Sequence, residues 1–194
     1  MAARQRDSRA LIAAAARSEF AIHGYAGGRV NRIARSAGVN KQLIFYYFGS
    51  KAGLYRATVE RAAEAVPEPP PGAAVSHAAG EFRRVFTTLF DSFAREPELT
   101  RLIMLDAQAP GTADRASHRA VRDFQSRMRD LITQGQGHGY FRDDADPDRM
   151  ARQGVVLALG YFMLEPILEG PPDPGRASQW RDGAADLLLR ALTW

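Results

Sequence analysis

Residues 30–51 read VNRIARSAGVNKQLIFYYFGSK, and the spacing within this stretch decides how the chain is read. Val30, Ile33, Ala34 and Ala37 recur at i, i+3, i+4 and i+7, one apolar face of a helix, which leaves Asn31, Arg32 and Arg35 on the other side. Gly38 supplies a left-handed residue to end that helix, Val39 plugs the corner, and Asn40 suits the N-cap of a second helix whose inward residues are Ile44 and Phe48. Helices this short are marginal alone in water, so both must be held by packing on a neighbour. Two short helices hinged at a glycine, with basic, amide and phenol groups on the second, form a helix-turn-helix pattern. That pattern points to DNA.

The neighbours lie on either side. Upstream, Asp7 or Ser8 can cap a helix from Arg9 to His23, in which Ile12, Ala16 and Phe20 repeat at i+4 beside Leu11, Ala15 and Ile22, and His23-Gly24 stops it. Arg4 and Arg6 then form a basic arm ahead of the helix, expected to hang in solvent rather than enter a minor groove. Downstream, Ser50 caps a helix entered through Lys51, with Leu54, Thr58 and Ala62 at helical spacing and an end near Val66.

Charge separates this unit from the rest of the chain. Residues 1–61 hold 11 Lys and Arg against 3 acids, a net of +8, whereas the remainder holds 15 basic residues against 19 acids, a net of −4. The whole-chain value of +4 hides that asymmetry. A coding bias toward arginine would load both halves, so the basic end reads as a surface that displaces counterions from phosphates.

At this point the chain resembles the TetR family of bacterial transcriptional regulators. The resemblance is carried by GYAGGRVNRIARSAGVNKQLIFYYFGSKAGLY, residues 24–55, where Ile33-Ala34, Ala37-Gly38-Val39, Tyr46, Phe48, Ser50-Lys51 and Leu54 stand at the family's spacing. It implies an all-α protein with an N-terminal helix-turn-helix DNA-binding domain and a helical C-terminal ligand-binding and dimerisation domain. The chain departs from the pattern at Gly28 and Arg29, where Thr or Ser usually opens the second helix, and at Phe45, where Tyr is common.

Residues at the start of a recognition helix reach base edges in the major groove, which makes Lys41, Gln42 and Leu43 the candidates for readout. Lys41 can donate to guanine O6 or N7, Gln42 can pair with adenine, and Leu43 can touch a thymine methyl. Tyr47 and Lys51 resemble the family's phosphate contacts, with Tyr46 as a further candidate, and Lys51 shares its anion with free N–H groups of the fourth helix. Arg29 is long enough to reach phosphate in place of the missing hydroxyl. Asn40 is read as a cap first and a DNA contact second.

The domains expected are residues 1–66, a Pro-rich connection at 67–74 (PEPPPGAA), and residues 75–194. In the last of these, Phe82, Val85, Phe86, Leu89, Phe90 and Phe93 form one helical stripe ended by Pro97, and a short helix with Leu99, Leu102 and Ile103 runs to Pro110-Gly111. A third helix carries Val121, Phe124, Met128, Leu131 and Ile132 and is closed by the glycines of 134–139. A fourth starts at Pro147 behind Asp146 and contains VVLALGYFML, residues 155–164, apolar nearly all round. The last runs from Ala177 to Leu192.

In the family the final two helices pack against their copies, which implies a homodimer interface including Val155, Leu159, Phe162, Trp180, Leu187 and Leu188. A two-fold dimer calls for a palindromic operator with half-sites about 34–36 Å apart or a multiple of that. For a small effector, Phe86, Phe90, Met104, Phe124 and Met128 offer adaptable apolar walls, with Tyr161 and Glu165 as the polar groups expected to point inward.

Other chemistries find little support. Asp144, Asp146 and Asp148 have the opening spacing of a calcium loop, but Arg149 replaces the needed glycine and Val155 the bidentate glutamate. His23, His77, His118 and His138 share no i, i+3 or i, i+4 spacing. With zero cysteines there is no disulfide framework, and no apolar run approaches the length of a membrane helix. No signal-peptide core opens the chain, so a cytoplasmic protein of the bacterial cytosol is expected. Neither cofactor nor metal is expected.

The expected protein is therefore no enzyme but a homodimeric repressor. It binds a palindromic double-stranded operator through residues 40–48 and is released by a small apolar or aromatic effector. Two other readings remain open at this point: a regulator controlled by a protein partner with no ligand pocket, and a helical small-molecule-binding protein or enzyme with an incidental basic N-terminus.

Overall fold

The computed structural model describes residues 2–70, 77–107, 116–170 and 173–194, and among them every regular element is a helix. In chain order these are α1 (Ala2–Gly27), α2 (Val30–Ser36), α3 (Lys41–Phe48), α4 (Lys51–Glu64), α5 (Ala78–Arg95), α6 (Pro97–Ala107), α7 (Ala116–Gly137), α8 (Pro147–Leu168) and α9 (Pro174–Leu192). They sort into two compact units, one of residues 1–65 and 97–118, the other of residues 66–96 and 119–194.

In the first unit α1 packs against α2, α4 and α6. Ile12, Ala16 and Phe20 are fully buried, as their i+4 repeat requires, whereas Leu11 and Ile22 are exposed. The helix begins at Ala2, upstream of Asp7 and Ser8, so Arg4 and Arg6 belong to α1 and do not form a free arm. Nothing between Ala2 and Arg9 breaks a helix, and the alanines and arginines there are good helix formers. Gly24 interrupts α1 with φ 61°, and one further turn reaches Gly27. Gly28 follows, buried, where a Cβ would lie 2.5 Å from Phe20 Cδ1. That contact accounts for glycine at a place where a hydroxyl residue was expected.

Helix α6 also belongs to this unit, packed on α1 and α4 with Leu102 and Ile103 buried. Chain order places residues 97–107 after the Pro-rich connection, but contiguity in sequence does not fix packing. Residues 71–74 of that connection and the Pro110-Gly111 break lie outside the described residues.

The core of the second unit is the α5 stripe, in which Phe82, Val85, Phe86, Leu89, Phe90 and Phe93 are each at most 1% exposed. Burying one such side chain stabilises the fold by about 1.5–3 kcal/mol. Helices α8 and α9 pack on α5 and on each other, and α7 contributes Phe124, Met128 and Ile132 to the buried set. Asp146 Oδ1 caps α8 by accepting from the N–H groups of Asp148 and Arg149, with Pro147 in the first turn. Asp146 and Asp148 thus form a helix start, while Asp144 pairs with Arg142. On α9, Arg181 Nη1 reaches both oxygens of Asp91 on α5 at 3.0 and 3.2 Å.

Candidate functional site

The helix-turn-helix is built from local rules. Gly38 takes φ 65°, in the left-handed region, and Val39 N–H donates to Ala34 O to close the turn. Asn40 Oδ1 then accepts from Gln42 N–H at 2.9 Å, capping α3. Gly49, with φ 72°, ends that helix, and Ser50 Oγ caps α4 by accepting from Gly53 N–H at 3.0 Å. Gly53 is close-packed, since a Cβ there would sit 2.1 Å from the Phe48 carbonyl oxygen.

This scaffold fixes which face of α3 meets solvent. Ile44 is fully buried and Phe48 half-buried, with the Arg9 guanidinium 5.7 Å from the Phe48 ring centroid. Lys41 and Gln42 are exposed, Leu43 is half-buried, and Tyr46 stands 73% exposed. Tyr47 is half-buried with its ring edge-on to Tyr46, and Lys41 Nζ lies 5.6 Å from the Phe45 ring. Asn40, Lys41, Gln42, Leu43, Tyr46 and Tyr47 are therefore brought together on one short element.

Two further candidates sit beside it. Lys51 Nζ donates to Ala26 O at 3.3 Å and lies 4.8 Å from the Tyr25 ring centroid, so it is held near the end of α1. Arg29 is exposed at the N-cap of α2, but its side chain makes no capping hydrogen bond. Its backbone N–H instead donates to Glu19 Oε1 at 2.7 Å.

In the second unit, Phe86, Phe90, Phe124, Met128, Tyr161 and Glu165 are all buried. Met104 is half-buried on α6, in the first unit. Tyr161 sits among rings, with Phe90 at 5.4 Å, Phe162 at 5.2 Å and Trp180 at 5.7 Å between centroids. Its hydroxyl is buried beside the Glu165 carboxylate, without completing a well-formed hydrogen bond to it. Burial first, and then the negative charge of Glu165, push its pKa above the usual phenol value. Glu165 Oε1 accepts from Arg176 Nε at 2.8 Å.

Comparison with known proteins decides what kind of molecule this geometry belongs to. A family model described as bacterial regulatory proteins of the tetR family matches residues 12–58, and one described as a tetracyclin repressor-like C-terminal domain matches residues 79–169. The HTH-type transcriptional repressor SCO4008 of Streptomyces coelicolor is 32% identical over 98% of this chain and 96% of its own length. The chain belongs to the TetR family.

The HTH-type transcriptional repressor NicS of Pseudomonas putida is similarly related, 30% identical over 93% of this chain and 90% of its own length. Among solved structures, a TetR transcriptional regulator from Chloroflexus aurantiacus superposes with a TM-score of 0.73 at 25% identity, covering 96% of this chain and 94% of that one. The chain is a TetR-type helix-turn-helix transcriptional repressor and not an enzyme. Among the described residues, no helix is long and apolar enough to cross a membrane.

Two features of this TetR repressor escaped the sequence reading. The first is which apolar residues of α8 and α9 stand exposed, since the surface itself, with Trp180 and Leu187, was expected. Val155 and Leu188 are buried in their own unit, whereas Val156, Met163, Leu164, Ile167 and Leu187 are each at least half exposed. Leu159 and Phe162 are half-buried and Trp180 is exposed. The second is the contact of Glu19 with Arg29 and Arg32. Its trace in the sequence is the scarcity of acids around it.

Proposed function

We propose that this TetR repressor is a homodimer of the bacterial cytosol that binds a palindromic double-stranded operator through residues 40–48 and is released by a small apolar or aromatic effector. The observation that carries the reading is the division of α3, with Ile44 sealed in the unit and Lys41, Gln42 and Tyr46 left to solvent. Lys41, Gln42 and Leu43 take the base edges. Asn40 sets the helix start, and Tyr46, Tyr47, Lys51 and Arg29 serve the phosphates.

The surface of the second unit supports the dimer. Val156, Gly160, Met163, Leu164 and Ile167 follow one another at helical spacing on α8, as do Trp180, Gly183 and Leu187 on α9. A Cβ on Gly160 or Gly183 would meet nothing within 4 Å, so both stripes are open to a partner helix. A run of exposed apolar residues on a soluble unit marks an interaction surface. Leu159 and Phe162 flank it.

Support for the effector comes from Tyr161. A buried hydroxyl whose hydrogen bond is poorly made costs up to about 1–3 kcal/mol, and a ligand that bonds it well reduces that cost. Phe90, Phe86, Phe124 and Met128 supply the apolar surroundings, and Glu165 a second polar contact. To weaken operator binding a hundredfold, the effector must favour the released conformation by about 2.7 kcal/mol.

Selection of bound fragments from genomic DNA, with and without a metabolite mixture, tests both halves of the proposal. A palindromic consensus lost in the presence of metabolites is expected. Fragments without two-fold symmetry would overturn the dimeric reader, and an unchanged consensus across all mixtures would overturn release by an effector.

A further inference from the structure

The first 61 residues contain 11 basic groups and only 3 acids, yet one of those acids is placed where the DNA-reading helices join α1. Glu19 Oε1 accepts from Arg29 N–H at 2.7 Å and from Arg32 Nε at 2.8 Å, and Oε2 accepts from Arg32 Nε at 3.0 Å. Arg32 Nη2 lies 2.6 Å from Glu19 Oε1 and also donates to the Gly27 carbonyl at 3.0 Å. The Glu19 side chain is only 10% exposed.

This geometry has three consequences. Helix α2 has 7 residues and no side-chain cap of its own, and the carboxylate on α1 satisfies the backbone N–H of its N-cap residue, Arg29, as the acidic member of a capping box would. The guanidinium, bonded on two nitrogens, is fixed to the far end of α1 at Gly27, which ties both ends of the α1–α2 corner to one residue of α2. The pair is also neutral as a unit, so Arg32 is withheld from phosphate although its side chain is 40% exposed.

We propose that Glu19 is the residue that sets operator specificity from behind the reading helix: it fixes the angle of α2 and α3 on α1 and keeps Arg32 off the DNA backbone. Burial raises the pKa of Glu19, but the Arg32 hydrogen bond, the Arg29 N–H and the Arg32 charge outweigh it and hold the carboxyl below its ordinary value. It stays ionised throughout the neutral range. Gly28 completes the arrangement, because any side chain there would strike Phe20 and push the start of α2 away from Glu19.

Plain electrostatics shares the forecast for scrambled duplex but leaves the operator-to-scrambled ratio unchanged, and that separates the two. Removing an acid from a basic DNA-binding surface should by itself tighten binding to every duplex alike. Under the proposal, Glu19→Ala binds scrambled duplex more tightly, with a salt slope steeper by about 0.9 as Arg32 gains a phosphate. The ratio of operator to scrambled affinity meanwhile falls about tenfold or more, within the range separating specific from non-specific binding.

The double variant Glu19→Ala/Arg32→Ala should return scrambled binding and slope to the wild-type values while the ratio stays low. Glu19→Gln, which keeps an acceptor for Arg29 N–H, should lose less of the ratio than Glu19→Ala and guards against a variant that simply fails to fold. An equal rise for operator and scrambled duplex, or an unchanged ratio in both Glu19 variants, would overturn the proposal. The inference rests on DNA binding through α3: no preference in the wild type would sink that reading and this one together, whereas a preference that Glu19→Ala retains sinks this one alone.

Discussion

Helices α3 and α8 both leave side chains bare that their own units do not need, but the chemistry left bare differs. Helix α3 shows Lys41, Gln42 and Tyr46 to water, and α8 shows Val156, Met163, Leu164 and Ile167. Charged and amide groups suit a polar, hydrated polymer, while aliphatic groups gain only by leaving water. The supports differ in the same way. Around α3, placement depends on directional contacts: the Asn40 and Ser50 caps, the Gly38 turn, and the Glu19 carboxylate. Around α8 it depends on volume, through the phenylalanines of α5. Damage to the first region should therefore alter DNA reading more than stability, and damage to the second the reverse.

The largest effect should come from the second region. Phe90→Ala removes a ring 1% exposed and is expected to cost about 3–5 kcal/mol, read as a fall in denaturation midpoint. DNA preference should survive in whatever protein remains folded, and a change of consensus would blur the contrast. Next comes Gly53→Ala, whose Cβ would collide with the Phe48 carbonyl. Overpacking of this kind costs about 1–3 kcal/mol, and because the obstacle is backbone, α3 must shift on α4. The expected result is lost operator affinity at temperatures where circular dichroism still reports a full helical signal.

Asn40→Ala should cost about 1 kcal/mol of stability through the lost cap. Its loss of operator affinity should exceed that figure, and proportionate losses would argue that α3 placement tolerates the missing bond. The smallest stability effect is expected for Tyr161→Phe. It deletes a buried hydroxyl that lacks a well-formed hydrogen bond, so the melting temperature should hold or rise slightly, while any effector response weakens. A clear drop in melting temperature would show that the hydroxyl is already satisfied.

The same contrast explains what could be read from the sequence. The helix-turn-helix was legible because its punctuation is local: Gly38, Asn40 and Ser50 act on residues at most five positions away. Asp146 with Pro147 was legible for the same reason. The α8 surface was not, because Val155 and Val156, and likewise Leu187 and Leu188, are apolar neighbours that differ by about 100° around a helix. A stretch apolar on all sides carries no phase, so the sequence offered no way to choose the exposed member of each pair. Glu19 lay beyond reach for another reason. Its partners at Arg29 and Arg32 become neighbours only after the chain bends at Gly24 and Gly28, and no periodicity encodes that bend.

Helix α6 has a practical consequence for anyone wishing to transplant the DNA-reading head. Because residues 97–107 seat on α1 and α4, a piece cut after residue 66 would lack a wall and bare apolar flank to water. A hybrid regulator should therefore borrow two stretches of chain, the second reinstating Leu102 and Ile103, or supply a surrogate helix of matching shape.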